Sequence, residues 1–186
     1  MRSFNSCDLD SSSNMSVRWP SEPNLRSGIV PATRIVINGP PQSGKTTFCK
    51  NLIRSENAPL WDWRIIMHGH TCTTPEYDEF TGKYRTLVLQ WPCWDSIQQS
   101  EATEIEKILP PKREENARNR LLLWVDNLPD HHDQWKFLQR MVYRQLVRRG
   151  YTVDLVITGW FHSALSAAHT IRPSCWFEHQ GDFHFA

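Results

Sequence analysis

The sequence predicts an α/β protein: a doubly wound, mainly parallel sheet sandwiched by helices. Three observations carry this. A continuous β-branched run, Arg34–Asn38, leads into a glycine-bounded loop and then a helix start. Such a run suits a central parallel strand, whose two faces both leave water. Residues 121–125 (LLLWV) are fully apolar and close on Asp126. Five to six strand-like runs alternate with helical patterns, the order that builds βαβ units.

The elements follow in chain order. Residues 1–28 are rich in Ser, Asn, Pro and Arg and are expected to form a disordered lead, with Trp19 as its one large apolar anchor. Residues 29–186 form the core domain. After the first strand and its loop, a helix starts at Lys45 or Thr46. Phe48, Cys49, Leu52 and Ile53 make its buried stripe, and it ends near Ser55, with turn-like residues and Pro59 beyond. Trp63–His68 is a second strand. Residues 71–83 are polar, with a short helix at 75–80, and residues 85–91 are a third strand. Thr103 and Glu106 form a capping box for a short helix. Residues 110–120 are dense in charge and read as an exposed linker. The apolar run 121–125 is the fourth strand, and it stops on Asp126.

Residues 130–149 give the clearest helix. Trp135, Leu138, Val142 and Leu146 share one face, Lys136, Arg140, Arg144 and Arg148 line the other, and Gly150 is the cap. That basic line suits either a solvated face or a phosphate backbone. Residues 153–158 are a fifth strand ending in Thr158, residues 161–168 a short helix or turn, and residues 174–178 a last strand.

Composition bounds the function. A chain of 186 residues suggests one domain with tails, and a net charge of +1 gives no global pull toward nucleic acid or membrane. Five cysteines without a CxxC pair fit a reducing compartment better than a disulfide framework. His68, His70 and Cys72 alternate along a strand end, but a metal site there needs a further ligand from elsewhere. A polar strand edge is the simpler reading, and His131, His132, His179 and His184 are treated likewise. No run has the length of a membrane span, and the N-terminus lacks the apolar core of a secretory signal. The expectation is a soluble intracellular protein without a membrane partner.

The loop carries the chemistry. Gly39, Pro40, Pro41, Gln42, Ser43, Gly44, Lys45 and Thr46 fit G-x-x-x-x-G-K-[ST] at every fixed position, the P-loop (Walker A) pattern, and Thr47 follows inside the helix. Successive N–H groups of such a loop form a concavity for phosphate oxygens, and the helix aims its positive end at them. Lys45 can reach the terminal phosphates, and the Thr46 hydroxyl can ligate Mg²⁺. With Gly at roughly 7% of average sequence, a chance match is expected in only about one chain of this size in a hundred. Asp126 closing its apolar strand is the Walker B arrangement, placed to hold Mg²⁺ directly or through water. ATP and Mg²⁺ are the expected ligands of a P-loop NTPase fold, and the reading is an ATPase.

These motifs, in the order RIVINGPPQSGKTTF, LLLWVDNL, VDLVITGWFHSA and HTIRPSCWF, resemble the viral DNA-packaging ATPases of the FtsK/HerA class, over residues 30–178. The resemblance implies an ATP-driven motor that assembles as a ring of identical subunits, moves double-stranded DNA into a capsid and meets capsid or portal proteins, with virion association. It implies phosphate binding by Lys45, Mg²⁺ binding by Thr46 and Asp126, a catalytic group at position 127, a γ-phosphate-responsive Thr158, and an arginine finger at Arg172, Arg148 or Arg149. Two positions depart from the family. Where the family has a second acid after the Walker B aspartate, this chain has Asn127, and an amide can orient water but cannot take its proton. The sensor pair is Thr158-Gly159 where the family has Thr-Gln. ATP·Mg²⁺ binding with slow hydrolysis is therefore expected, unless another base such as Asp130 serves.

Three other readings stay open. A superfamily 3 replication helicase shares GPP-x-x-GKT but carries Asn at the sensor strand end, and a nucleoside-type kinase needs an arginine-rich lid. A degenerate nucleotide-binding or interaction protein would also fit Asn127 and Gly159.

Overall fold

The computed structural model describes residues 19, 32–69, 74–80, 85–90, 109–111, 119–128, 138–161 and 175–178. Six strands form one sheet: β1 (Arg34–Asn38), β2 (Trp63–His68), β3 (Arg85–Gln90), β4 (Arg120–Leu128), β5 (Thr152–Gly159) and β6 (Cys175–Glu178). Their order is β3-β2-β4-β5-β1-β6, and every pairing is parallel. One strand, β5, therefore separates β1 from β4.

Helices cover both faces, as the all-apolar strands require. On one face α1 (Lys45–Arg54) buries Cys49, Leu52 and Ile53 against Ile35, Ile37, Leu122, Trp124 and Val156. On the other, Leu138, Val142 and Leu146 pack on Val36, Leu121, Leu123, Val125, Val153 and Leu155. Leu138 and Val142 lie on a π-helical turn, Leu138–Tyr143, and Leu146 on α2 (Arg144–Arg148), into which that turn runs. Their spacing of four residues keeps them on one side, while Arg140, Arg144 and Arg148 are exposed. Strand β4 feeds both layers, because successive side chains of a strand alternate between faces.

Several expectations change. β4 does not stop on Asp126: it runs on to Leu128, which is buried and pairs with Gly159 after a register shift. Asn127, at φ 56°, is the residue that makes the shift. The charged stretch 110–120 is not all exposed linker. Pro110 and Asn119 are buried, and Arg120 opens β4. The 3-10 turn Thr74–Phe80 matches the short helix expected there. The capping-box helix at 103–106, residues 130–137 and the turn at 161–168 beyond Phe161 lie outside the described residues.

Trp19 is the one described residue of the 1–28 lead, and it belongs to the core. Its ring meets Trp61 edge-on at 5.2 Å. Its N–H donates to Ser55 and Asn57, and the Asn57 amide donates back to its carbonyl at 2.7 Å. At the same, N-terminal edge of the sheet, Asp154 is fully buried. It accepts the Thr33 N–H, the Trp61 indole N–H and a two-pronged bond from Arg120. This cluster fixes the starts of β1, β4 and β5 and leaves the opposite edge to the loop. No helix among the described residues is long and apolar enough to cross a membrane.

Candidate functional site

The C-terminal edge of the sheet gathers the predicted residues. β1 delivers the chain to Gly39, whose N–H donates to the Gly159 carbonyl at 3.1 Å. The loop then turns through Gln42 (φ 61°) and Gly44 (φ 85°). Gly44 is the cap residue of α1. A Cβ there would meet nothing within 4 Å, so the left-handed backbone, not space, calls for glycine. No side chain caps α1 and no acid stands in its first turn. Its N-terminal positive end thus faces the loop without a competing side chain.

Lys45 is buried and turns back over its own loop. Its Nζ donates to the carbonyls of Gly39 (2.8 Å) and Pro40, with Ser43 Oγ at 3.4 Å. Burial pulls its pKa below the usual lysine range, and the Asp126 carboxylate opposes that shift. Pro41, Gln42 and Thr47 are exposed and Ser43 is buried.

Asp126 is the hub. It is 2% exposed, and among the described residues three hydroxyls donate to its carboxylate. Thr46 reaches Oδ2 at 2.9 Å and Tyr77 reaches the same oxygen at 2.6 Å, while Thr158 donates to Oδ1 in a short bond. Thr46 comes from α1, Thr158 from the end of β5, and Tyr77 from the 3-10 turn. His68, in register with Asp126 on β2, stacks on the Tyr77 ring at 5.1 Å. A carboxylate out of water needs this many donors to remain tolerable as an anion.

Thr158 is doubly engaged. It accepts the Asn127 N–H at 2.8 Å and gives its single hydroxyl hydrogen to Asp126. In this arrangement it has no hydrogen left for a phosphate, so it clamps the acid. The Asn127 side chain is exposed. Its left-handed backbone suits asparagine better than most non-glycine residues. Gly159 is constrained by space: a Cβ would overlap the Phe161 ring and approach the Leu128 carbonyl at 2.7 Å. A glutamine in its place would need Phe161 to move. Asn38 holds Phe161 there, accepting its N–H at 2.8 Å and donating to its carbonyl at 3.3 Å.

Of the candidate arginines, Arg148 and Arg149 do not join this cluster within the chain. Arg148 is exposed, and Arg149 donates to the carbonyls of Leu109 (2.9 Å) and Pro110. Both close α2 just before β5 begins, at the edge of the parallel sheet away from the loop. Arg172 lies outside the described residues, as do Asp130, His70 and Cys72. Among the described residues no group of three His, Cys, Asp or Glu side chains could hold a metal ion.

A hydroxyl and a carboxylate 2.9 Å apart beside this glycine-bounded loop are hard oxygen donors. They suit Mg²⁺, which takes one or two protein oxygens together with phosphate and water. Sequence reasoning missed Tyr77, which sits in an uninformative polar stretch. His68 is legible in the sequence only as part of an alternating His/Cys pattern. No family model matches the chain, and no curated protein matches it.

Proposed function

We propose that this protein is an ATP-binding P-loop ATPase, a subunit of a DNA-packaging or DNA-translocating motor, with weakened hydrolysis. The observation that carries the nucleotide reading is the contact between Thr46 and Asp126 across an intervening strand. It joins the two halves that a Mg²⁺-nucleotide site requires: the amide-lined loop with its lysine, and the strand-end acid. Lys45 would exchange its carbonyl partners for phosphate oxygens. Thr46 can spend its hydrogen on Asp126 while its lone pairs face a cation. When bound, Mg²⁺ would neutralise phosphate charge, and Thr46 and Asp126 are the residues that would hold it.

The motor reading rests on the resemblance over residues 30–178. The exposed line Arg140, Arg144 and Arg148 supports a contact with a phosphate backbone. A homo-oligomeric ring, double-stranded DNA and a capsid partner belong to this same proposal.

A second reading, nucleotide binding without turnover, is favoured by one specific arrangement. The Asn127 amide cannot take a proton, and the Thr158 hydroxyl hydrogen is committed to Asp126. Calorimetry with ATP and Mg²⁺ on the parent chain and Lys45→Ala tests binding. Loss of binding in Lys45→Ala is expected, and a parent chain indifferent to ATP ends the proposal. Hydrolysis assays of Asn127→Asp separate the two readings: a raised rate supports a missing base, and an unchanged low rate removes that explanation. Turnover stimulated by duplex DNA, with a larger particle in ATP·Mg²⁺, would support the motor.

A further inference from the structure

We propose that Tyr77 is a positioning residue of this nucleotide site, holding Asp126 Oδ2 in line with Thr46 so that the carboxylate is set for Mg²⁺ before the cation arrives. The inference rests on the ATP·Mg²⁺ reading above and adds to it a residue that no motif contains.

Four observations carry it. The phenol O–H lies 2.6 Å from Asp126 Oδ2, the oxygen that also accepts the Thr46 hydroxyl. Two donors on one oxygen fix that oxygen's direction better than either alone. The Tyr77 ring is fully buried and is held on three sides. His68 stacks on it at 5.1 Å, Trp124 meets it edge-on at 5.3 Å, and the Lys50 ammonium lies over it at 5.7 Å. The 3-10 turn that carries it is tied to α1 through Glu79, which pairs with both Lys50 (3.4 Å) and Arg54. The helix that presents Thr46 therefore also fixes the segment that presents Tyr77. Finally, His68 reaches Tyr77 from β2, whose end is in register with Asp126. His68 Nδ1 meets the Gly69 carbonyl at 3.0 Å, while Nε2 is buried and finds no hydrogen-bond partner among the described residues. A polar ring kept in that condition serves here as the platform under Tyr77.

A tyrosine that merely fills the core would also satisfy its hydroxyl, so the test must separate position from packing. ATP binding is measured by calorimetry across a Mg²⁺ titration in the full chain, for the parent, Tyr77→Phe, Asp126→Asn and the double variant. Tyr77→Phe keeps the ring and removes only the hydroxyl. It is expected to leave Mg²⁺-free ATP affinity unchanged and to raise the Mg²⁺ needed for half-saturation by roughly tenfold, the low end for removing a group that orients a metal ligand. In the Asp126→Asn background it should add nothing. His68→Ala, which keeps the hydroxyl and removes the platform, should shift the Mg²⁺ requirement the same way but less, and it serves if Tyr77→Phe does not fold. The proposal is overturned if both variants titrate with Mg²⁺ like the parent. It is equally overturned if Tyr77→Phe weakens binding alike with and without Mg²⁺ while its melting temperature falls. A parent that binds no nucleotide removes the ATP reading and this inference together; a parent that binds while the variants titrate unchanged removes this inference alone.

Discussion

Thr46 and Asp126 stand 80 positions apart in the chain, yet the threonine hydroxyl donates to the aspartate at 2.9 Å. The contact spans the first turn of α1 and the far end of β4, with β5 lying between β4 and the strand that feeds the loop. Thr46→Val keeps the shape and removes the hydroxyl. It is expected to lose roughly 10–100-fold in the Mg²⁺-dependent part of ATP affinity. Thr46→Ser should keep most of it. Calorimetry with and without Mg²⁺ measures the difference.

Thr158 both accepts the Asn127 N–H and donates to Asp126. Thr158→Val leaves both partners short of a bond in a buried place and should cost about 1–3 kcal/mol of stability. Thr158→Ser should recover most of that loss. Urea unfolding followed by circular dichroism gives both values, and a valine variant as stable as the parent would contradict the clamp.

Asp154 lies at the other edge of the sheet and holds Arg120, Trp61 and Thr33. Asp154→Ala takes the two-pronged acceptor from the largely buried Arg120 guanidinium and removes the acceptor of the Trp61 indole N–H. It should destabilise the fold by roughly 3–5 kcal/mol, as breaking one side of a buried pair does. Where the variant still folds, its ATP affinity should match the parent, because the cluster is remote from the loop.

Trp19 is 3% exposed and packs on Trp61. Trp19→Ala should cost about 3–5 kcal/mol, the usual loss for emptying a buried indole site. Thermal unfolding measures it. A negligible change would mean that this part of the lead is dispensable to the fold.

Burial holds the Lys45 ammonium below the ordinary lysine range, with Asp126 opposing. The folded chain therefore gives up this proton at lower pH than the unfolded chain does. The cost of burying the charge is fully present at neutral pH and falls as pH rises through the folded value toward 10.5. Compared with Lys45→Met, the parent should gain stability over that alkaline range. Denaturant midpoints of both proteins between neutral and alkaline pH test the trend, and parallel curves would contradict it.

Much of the fold is legible because it is local. The spacing of Cys49, Leu52 and Ile53 sets the buried side of α1, and Leu138, Val142 and Leu146 do the same on the opposite face. Gly39, Gly44, Lys45 and Thr46 announce the loop, and five apolar residues before Asp126 announce its strand. What stayed hidden depends on register and on contacts between distant segments. Nothing in a linear pattern says that β5 lies between β1 and β4, or that a tyrosine in a polar turn reaches Asp126. The extension of β4 to Leu128 was hidden for a related reason. Asn127 reads as a break in the apolar run, but its left-handed backbone lets the strand resume one residue later. Arg120 reads as the end of a charged linker until its buried partner, Asp154, is known.

The crowding at the end of β5 also bears on descent. Gly159 is boxed in by the Phe161 ring and the Leu128 carbonyl, while Asn38 holds the Phe161 backbone. A lineage could not acquire a glutamine at this position in a single step without disturbing the ring. In relatives of this chain, residues 159 and 161 should drift as a pair: glycine where 161 is aromatic, and a larger side chain only where 161 has become small.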